Sequence, residues 1–268
     1  MNNCYIIIHQ GIGDLFNSIG LINYYTSKYD KVYIFLLDEM RKKIYDEIFL
    51  NNDKIICIIP EFTNNIVESS TCIICMTNIN SEHCPRIHSQ KCKHIDYKKY
   101  NGDIIKIGAF NNFDEWIKYK SSQYSFAHAF YTYNKLDLNI RIDNFKLFNN
   151  KNKEDNIYDN FIKKYGNNYI LIHQDEHRGF YIDRNKIINK DLPIINLDNI
   201  SNYFVDYCKV IKNAKEIHLI DSSYSVLIYL MSYNEINTKV FLYESFFKNL
   251  GRDTGIYKNP IFNNWEFY

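Results

Sequence analysis

Three short stretches carry residues whose types and order could do chemistry. The first is Gly11-Ile12-Gly13-Asp14, set between the apolar run Cys4–His9 and an apolar stretch with helical spacing. Glycines at such a point let backbone N–H groups approach an anion or a sugar closely. Asp14 then falls at a helix N-terminus, where the macrodipole favours its charge. The second stretch, "HQDEHRGFYIDR", runs from His173 to Arg184 and follows the apolar run Tyr169–His173. It gathers His173, Asp175, His177 and Arg178, with Gly179 next. Arg178 and Arg184 could grip phosphate oxygens, and His173 could act as a general acid or donate a hydrogen bond to a leaving phosphate. The third is Asp221-Ser222-Ser223, where "EIHLI" gives way to "SYSVLIYL". Small hydroxyl residues at a helix start either cap it or join the first free N–H groups in binding a phosphate.

Each stretch also has a plainer reading: an N-cap acid after a glycine turn, a solvated loop, and a pair of capping serines. The first motif lacks the third glycine of G-x-G-x-x-G, because Phe16 stands there, and no lysine follows as in a P-loop. It is therefore not a dinucleotide fingerprint. Two serines after an acid, in the same half of the chain as the Arg178 cluster, tilt the third stretch toward phosphate binding.

The elements that must position these residues alternate in type. Cys4–His9, Lys31–Leu37, Lys54–Ile59, Thr71–Met76 and Asp103–Gly108 read as strands, and continuous apolar runs of this kind suit a parallel sheet buried on both faces. Leu15–Tyr25 and Asp38–Phe49 read as helices, the second with Asp38 as N-cap, and Asn112–Lys135 looks helical. The polar stretch Asn149–Asn156 reads as a linker or the start of a helix. The plan then restarts: a helix over Asn156–Tyr165, strands at Tyr169–His173, Leu192–Asn196, Glu216–Ile220 and Lys239–Tyr243, helices at Asn202–Ala214 and Ser222–Tyr233, and an irregular tail. This predicts an α/β protein with two Rossmann-like domains, over residues 1–150 and 151–268. In such sheets ligands collect beyond the carboxyl ends of the strands, where all three stretches fall.

Bulk properties narrow the function classes. The 268 residues carry a formal net charge of +1, without the basic excess of a duplex-binding protein, so no nucleic-acid partner is expected. No apolar run approaches the roughly 20 residues of a membrane span. No charged n-region with an apolar stretch and cleavage site is visible, and seven cysteines is an odd count, so free thiols in a reducing cytoplasm are expected. The 24 tyrosines accompany many Asn, Ile and Lys and read chiefly as genome composition. Cys72, Cys75, Cys84 and Cys92 with His83, His88 and His94 could form a zinc site. Against it, Cys72 and Cys75 lie in a strand-like run whose period would turn them to opposite faces. No D-x-D pair of carboxylates stands at a strand end, so no metal is expected.

The chain resembles a small GT-B type glycosyltransferase of the heptosyltransferase-like group, with compact relatives in viruses and bacteria. The resemblance rests on "GIGD" after strand one, on "HQDEHRGF" in the second half, and on "NAKEIHLIDSSYSVLIYLMS". The family pattern has a proline a few residues after its Gly-Asp, where this chain has Gly20. The resemblance implies two domains facing across a cleft, with the acceptor on the first and the nucleotide-sugar on the second. It implies Asp14 as the general base on an acceptor hydroxyl and His173 near the leaving group. Gly11, Gly13, Arg178, Ser222 and Ser223 would line the binding surfaces, and Arg252 in "GRDTG" would join them if the tail crosses back to the first domain. No cofactor is implied beyond the nucleotide-sugar substrate, the acceptor being a glycan or another hydroxyl compound. A nucleotide-sugar epimerase or hydrolase on the same plan, or a non-catalytic nucleotide- or carbohydrate-binding protein, would need much of the same surface.

Overall fold

The computed structural model describes residues 2–63, 70–73, 93–108, 126–199, 204–233, 236–243 and 262–268. Internal contacts divide the chain into two compact units, Met1–Phe148 and Asn149–Tyr268.

The first unit opens with β1 (Asn3–Ile8), α1 (Ile12–Thr26), β2 (Lys31–Phe35), α2 (Glu39–Ile48) and β3 (Ile55–Ile58). It continues with β4 (Ser70–Cys72), β5 (His94–Asp96), β6 (Asp103–Ile107), α3 (Phe126–Tyr133) and the single turn α4 (Ile140–Asp143). Four strands form a parallel sheet in the order β3-β2-β1-β6. Ile6, Ile7, Ile8, Val32, Ile34 and Phe35 are fully buried, as expected where both faces of a parallel sheet are covered. The Asp38 side chain caps α2 by accepting the Arg41 N–H at 2.9 Å.

Gly20 explains how α1 is held. A Cβ there would fall 2.7 Å from the Ile140 carbonyl oxygen and closer still to that of Arg141. Only a residue without a side chain lets α1 and α4 approach this far. From α3, the buried Tyr131 hydroxyl donates to the Asn17 carbonyl at 2.7 Å.

The second unit comprises α5 (Lys151–Tyr165), β7 (Ile170–His173), β8 (Ile194–Asn196), α6 (Cys208–Asn213), β9 (Glu216–Ile220), α7 (Ser223–Ser232), β10 (Lys239–Tyr243) and β11 (Trp265–Phe267). Its five strands pair in parallel in the order β11-β10-β9-β7-β8. Both sheets thus have the winding of Rossmann-like α/β layers. In each, the strand order reverses once, between β1 and β6 in the first and between β7 and β9 in the second.

Several expectations are corrected. Of the strand expected over Thr71–Met76, residues 74–76 lie outside the described part, and Thr71–Ile73 are not in the parallel sheet. Ser70–Cys72 pairs antiparallel with His94–Asp96, and at Ile73 the chain leaves the ladder, its N–H bonding the Lys93 carbonyl. Of the two readings of the polar stretch from Asn149, the helix start is the one found: Asn150 accepts the Lys153 N–H at 3.1 Å and α5 begins at Lys151. The helix expected over Asn202–Ala214 is, in its described part, a 3-10 turn, Phe204–Tyr207, running into α6. The irregular tail ends in a strand, because β10 has a free edge that Trp265–Phe267 completes. Of the helix expected over Asn112–Lys135, residues before 126 lie outside the described part.

The crossover from β7 to β8, residues 174–193, contains no α-helix. Ile182 and Ile187 cover the sheet instead, against Ile170, Ile172, Ile220, Phe241 and Tyr243. A non-helical segment cannot satisfy its own backbone, and the buried Glu216 carboxylate does so for it. It accepts Ile188 N–H at 3.0 Å, Asn189 N–H at 2.7 Å and the Asn189 side-chain amide. His218 Nε2 lies 3.1 Å from the same carboxylate and Nδ1 lies 3.2 Å from the Tyr243 hydroxyl. Because a carboxylate only accepts, Nε2 carries the proton and Nδ1 accepts from Tyr243. The ring stacks on Phe241 at 4.4 Å. Burial works to raise the Glu216 pKa, but the Ile188, His218 and Asn189 hydrogen bonds outweigh it and leave it below 4.5. Burial of His218 outweighs the pull of Glu216 and lowers its pKa below 6.5.

Two predictions follow from these packing arrangements. Gly20→Ala should destabilise the first unit by about 1–3 kcal/mol through overpacking against fixed carbonyls; an unchanged denaturation midpoint would contradict the close approach. Both Glu216 and His218 have lowered folded pKa values, so the unfolded chain binds more protons and stability falls on acidification. The His218 contribution is complete above 6.5 and is lost progressively below it, and that of Glu216 is complete above 4.5 and is lost as pH falls through its lower folded value. Urea denaturation of His218→Phe between pH 7.5 and 5.5 should show a smaller loss than the parent; equal losses would remove His218 from the acid response.

Candidate functional site

Each sheet ends in a cluster of polar groups at its order reversal. At the first, Gly11 is the N-cap of α1, with φ −69° and ψ 138° and no side-chain cap. Its backbone needs no glycine, but its neighbour does: a Cβ on Gly11 would lie 2.7 Å from Asp14 Oδ2. The Asp14 carboxylate folds back over the bare Cα, in the first turn of α1, where the N–H groups have no helical acceptor. Gly13 lies within that same turn.

His9 and Gly108 belong to this end and were not singled out from the sequence. His9 Nε2 lies 2.9 Å from the Gly108 carbonyl oxygen and must donate to it. This bond ties the end of β1 to the end of β6. The His9 ring lies parallel to Phe130, 5.9 Å between centroids. Gly108 has φ +74°, and a Cβ there would meet Phe130 Cε1 at 2.5 Å and His9 Cδ2 at 2.7 Å. The available signal was a glycine closing "DIIKIG" and a histidine closing "YIIIH". Between them, buried Gln10 donates to the Ile8 carbonyl at 2.6 Å and accepts Leu37 N–H at 2.8 Å. Arg41 Nε donates to the Gln10 carbonyl at 2.6 Å, so the first turn of α2 is tied to the same loop.

At the second reversal, His173 ends β7 with its side chain 12% exposed. Its ring packs against Tyr224 at 4.6 Å, tilted by 57°. Nδ1 faces Asp198 Oδ2 at 3.4 Å without a formed hydrogen bond. Asp198 sits in the 3-10 turn Leu197–Asn199 that follows β8, and it too was missed. Its signal was an acid two residues after the strand-like run "PIIN". The Tyr224 hydroxyl is held protonated, its pKa raised by burial first and by Tyr207 next.

Beyond β9, buried Asp221 leads into Ser222, the N-cap of α7, in extended backbone. The Ser222 N–H donates to Ser225 Oγ at 2.9 Å, and Ser225 Oγ donates to the Ser222 carbonyl at 2.6 Å. In the other half of this capping box, Ser222 Oγ faces the Ser225 N–H without reaching hydrogen-bond geometry, and this hydroxyl is buried with no partner. Ser223 opens α7 and is half-buried. Because β7 and β9 are adjacent, His173 and the Ser222–Ser223 pair share one sheet end.

The loop after β7 is a closed structure. Asp175 and Phe180 exchange two backbone hydrogen bonds of 2.9 Å, and Gly179 makes the return with φ +77°. Arg178 lies in its 3-10 turn Glu176–Arg178; the described part of Arg178 is its backbone. His177 is exposed, and Arg184 is exposed at the head of the turn Arg184–Lys186. Arg252 and Cys75, Cys84, Cys92, His83 and His88 lie outside the described residues. Cys4, Cys57, Cys72 and Cys208 are buried. Among the described residues no group of three His, Cys, Asp or Glu side chains converges on a metal-sized point, and no helix is long and apolar enough to cross a membrane.

Sequence comparison adds no relative: no protein-family model and no curated protein matches the chain.

The two glycines at the first sheet end make opposite demands, which a pair of substitutions can separate. Gly108→Ala should cost about 1–2 kcal/mol from the left-handed backbone alone, with the His9 and Phe130 contacts adding to it. Gly11→Ala should cost a few tenths, since its backbone suits alanine and only a side-chain carboxylate must move. Thermal melts in which Gly11→Ala is the more damaging change would overturn this account of the loop.

Proposed function

We propose that the protein is a glycosyltransferase of GT-B type that moves a sugar from a nucleotide-sugar to an acceptor hydroxyl. The observation that carries this reading is the difference between the two sheet ends. One presents a carboxylate over glycine backbone, and the other presents a buried hydroxyl without a partner, an imidazole and the N-terminus of a ten-residue helix. The first set suits the acceptance of a proton, the second the reception of an anion.

In this reading the first unit holds the acceptor and the second the donor. Asp14 takes the proton from the acceptor hydroxyl as its oxygen forms the new bond to the anomeric carbon. The bond from that carbon to the diphosphate oxygen breaks, and its electron pair leaves with the diphosphate. The α7 N–H groups, Ser222, Ser223 and His173 stabilise that charge, with Arg178 as a further cation from the loop after β7. A carboxylate base on the acceptor suits inversion at the anomeric carbon. The donor is a substrate rather than a resident cofactor, and the positive groups of the second sheet end do what a metal ion would otherwise do.

A thermal-shift panel of UDP, GDP, CDP and ADP and their sugar conjugates identifies the donor, because a ligand at about 100 times its dissociation constant adds roughly 2.7 kcal/mol. With that donor, Asp14→Asn should lower turnover by at least about 100-fold and leave nucleoside diphosphate affinity within about twofold. Turnover equal to the parent's would remove Asp14 from the chemistry, and sugar release that is independent of any acceptor would favour a hydrolase.

A further inference from the structure

The donor-site reading gives His173 a task but does not say what prepares the ring for it. We infer that Asp198 is the positioning residue of His173, holding the imidazole so that Nδ1 is engaged by carboxylate and Nε2 is presented to the diphosphate. This rests on the proposed donor site in the second unit.

Two contacts and one placement support the assignment. The Asp198 carboxylate is the polar group facing Nδ1, at 3.4 Å. Tyr224 packs against the ring, at 4.6 Å between centroids. Tyr224 also belongs to the first turn of the helix whose N-cap, Ser222, carries a buried hydroxyl without a partner. The ring is therefore clamped between an acid from the end of β8 and an aromatic from the start of α7, on the strand between them. A histidine whose Nδ1 meets a carboxylate has its other nitrogen directed by that bond. With an anion at Nε2, the ring carries protons on both nitrogens and bridges the two negative groups, donating at Nε2 by a charge-assisted hydrogen bond. No proton leaves His173 in this step; it stabilises charge that the departing diphosphate already has. Among the described residues, the other titratable groups near this sheet end include Tyr224 and Tyr207, Asp221 after β9, and Asp175, Glu176 and His177 in the loop that continues β7.

The Asp198 side chain is 46% exposed, so its truncation leaves the core intact. The experiment pairs Asp198→Ala with Asp198→Glu and with His173→Gln. The first readout needs no ligand: long-range proton–nitrogen NMR of the His173 ring in the whole chain reports which nitrogen carries the proton. The parent and Asp198→Glu should show the Nδ1-protonated form enriched, and Asp198→Ala should lose that enrichment. The second readout is calorimetric affinity for UDP, GDP, CDP and ADP. The best of these should bind Asp198→Ala about tenfold more weakly, His173→Gln no more strongly than that, and the double variant no worse than His173→Gln alone. Asp198→Glu should recover most of the loss. A ring signature unmoved by Asp198→Ala overturns the pairing, whatever the protein's activity. A signature that moves in a protein binding none of the four diphosphates overturns the donor-site reading and leaves the pairing standing.

Discussion

The constraint on which this protein depends is the reversal of strand order in a parallel sheet. Every connection between parallel strands must leave the carboxyl end of one and return to the amino end of the next. Where the order reverses, the two connections depart to opposite sides, and the strand ends between them stay uncovered. Here β1 and β6 flank one such place and β7 and β9 the other. Apart from Glu216 and His218 on β9, the buried positions of the strands are filled chiefly by apolar side chains. Polar side chains therefore gather at these two places, and local bonds fix them: His9 to the Gly108 carbonyl in one unit, the Ser222–Ser225 box in the other.

The helix-free crossover of the second unit shows what a departure from this plan requires. A helix in that position would satisfy its own N–H groups and cover the sheet. Residues 174–193 cover it with Ile182 and Ile187, and Glu216 must reach up from β9 to accept the backbone. A buried carboxylate is tolerated because its acceptor capacity is filled by four donors, one of them His218. One consequence bears on the site. Freed from helical geometry, the chain after β7 closes on itself through Asp175 and Phe180 and keeps its charged residues beside His173.

Much of this was legible in the residues. Continuous apolar runs gave the parallel strands β1, β2, β3, β6, β7, β9 and β10 almost to their ends, and Asp38 marked the start of α2. The errors came from information that does not lie along the chain. Thr71–Met76 has the composition of a sheet strand, yet Ser70–Cys72 pairs with His94–Asp96, a choice set by a distant segment. The closing strand Trp265–Phe267 exists because β10 leaves an edge unpaired. At the sites, Asp14, His173, Ser222 and Ser223 stood out because each lies at or shortly after the end of a strand-like run. His9 and Asp198 escaped because their meaning comes from a partner about 99 residues away in one case and about 25 in the other, by chain numbering. Gly11 was read as a backbone approach, whereas its missing Cβ makes room for Asp14.

The division of chemistry between the two sheet ends follows from what each helix start has already spent. In α1 the N-cap is a glycine with no side chain to offer, so a carboxylate from within the first turn occupies the space above it. A negative group so placed favours cations and protons and resists a second anion. In α7 the N-cap is a serine whose N–H is satisfied by Ser225, while its own hydroxyl is not. No acidic residue stands in that first turn. The buried Asp221 carboxylate stands one residue before that N-cap, with Oδ1 3.4 Å from Ser225 Oγ, and the Asp198 carboxylate of the neighbouring turn faces an imidazole. Two helix starts of the same general kind thus place their carboxylates differently, the first inside its own first turn and the second one residue before its N-cap.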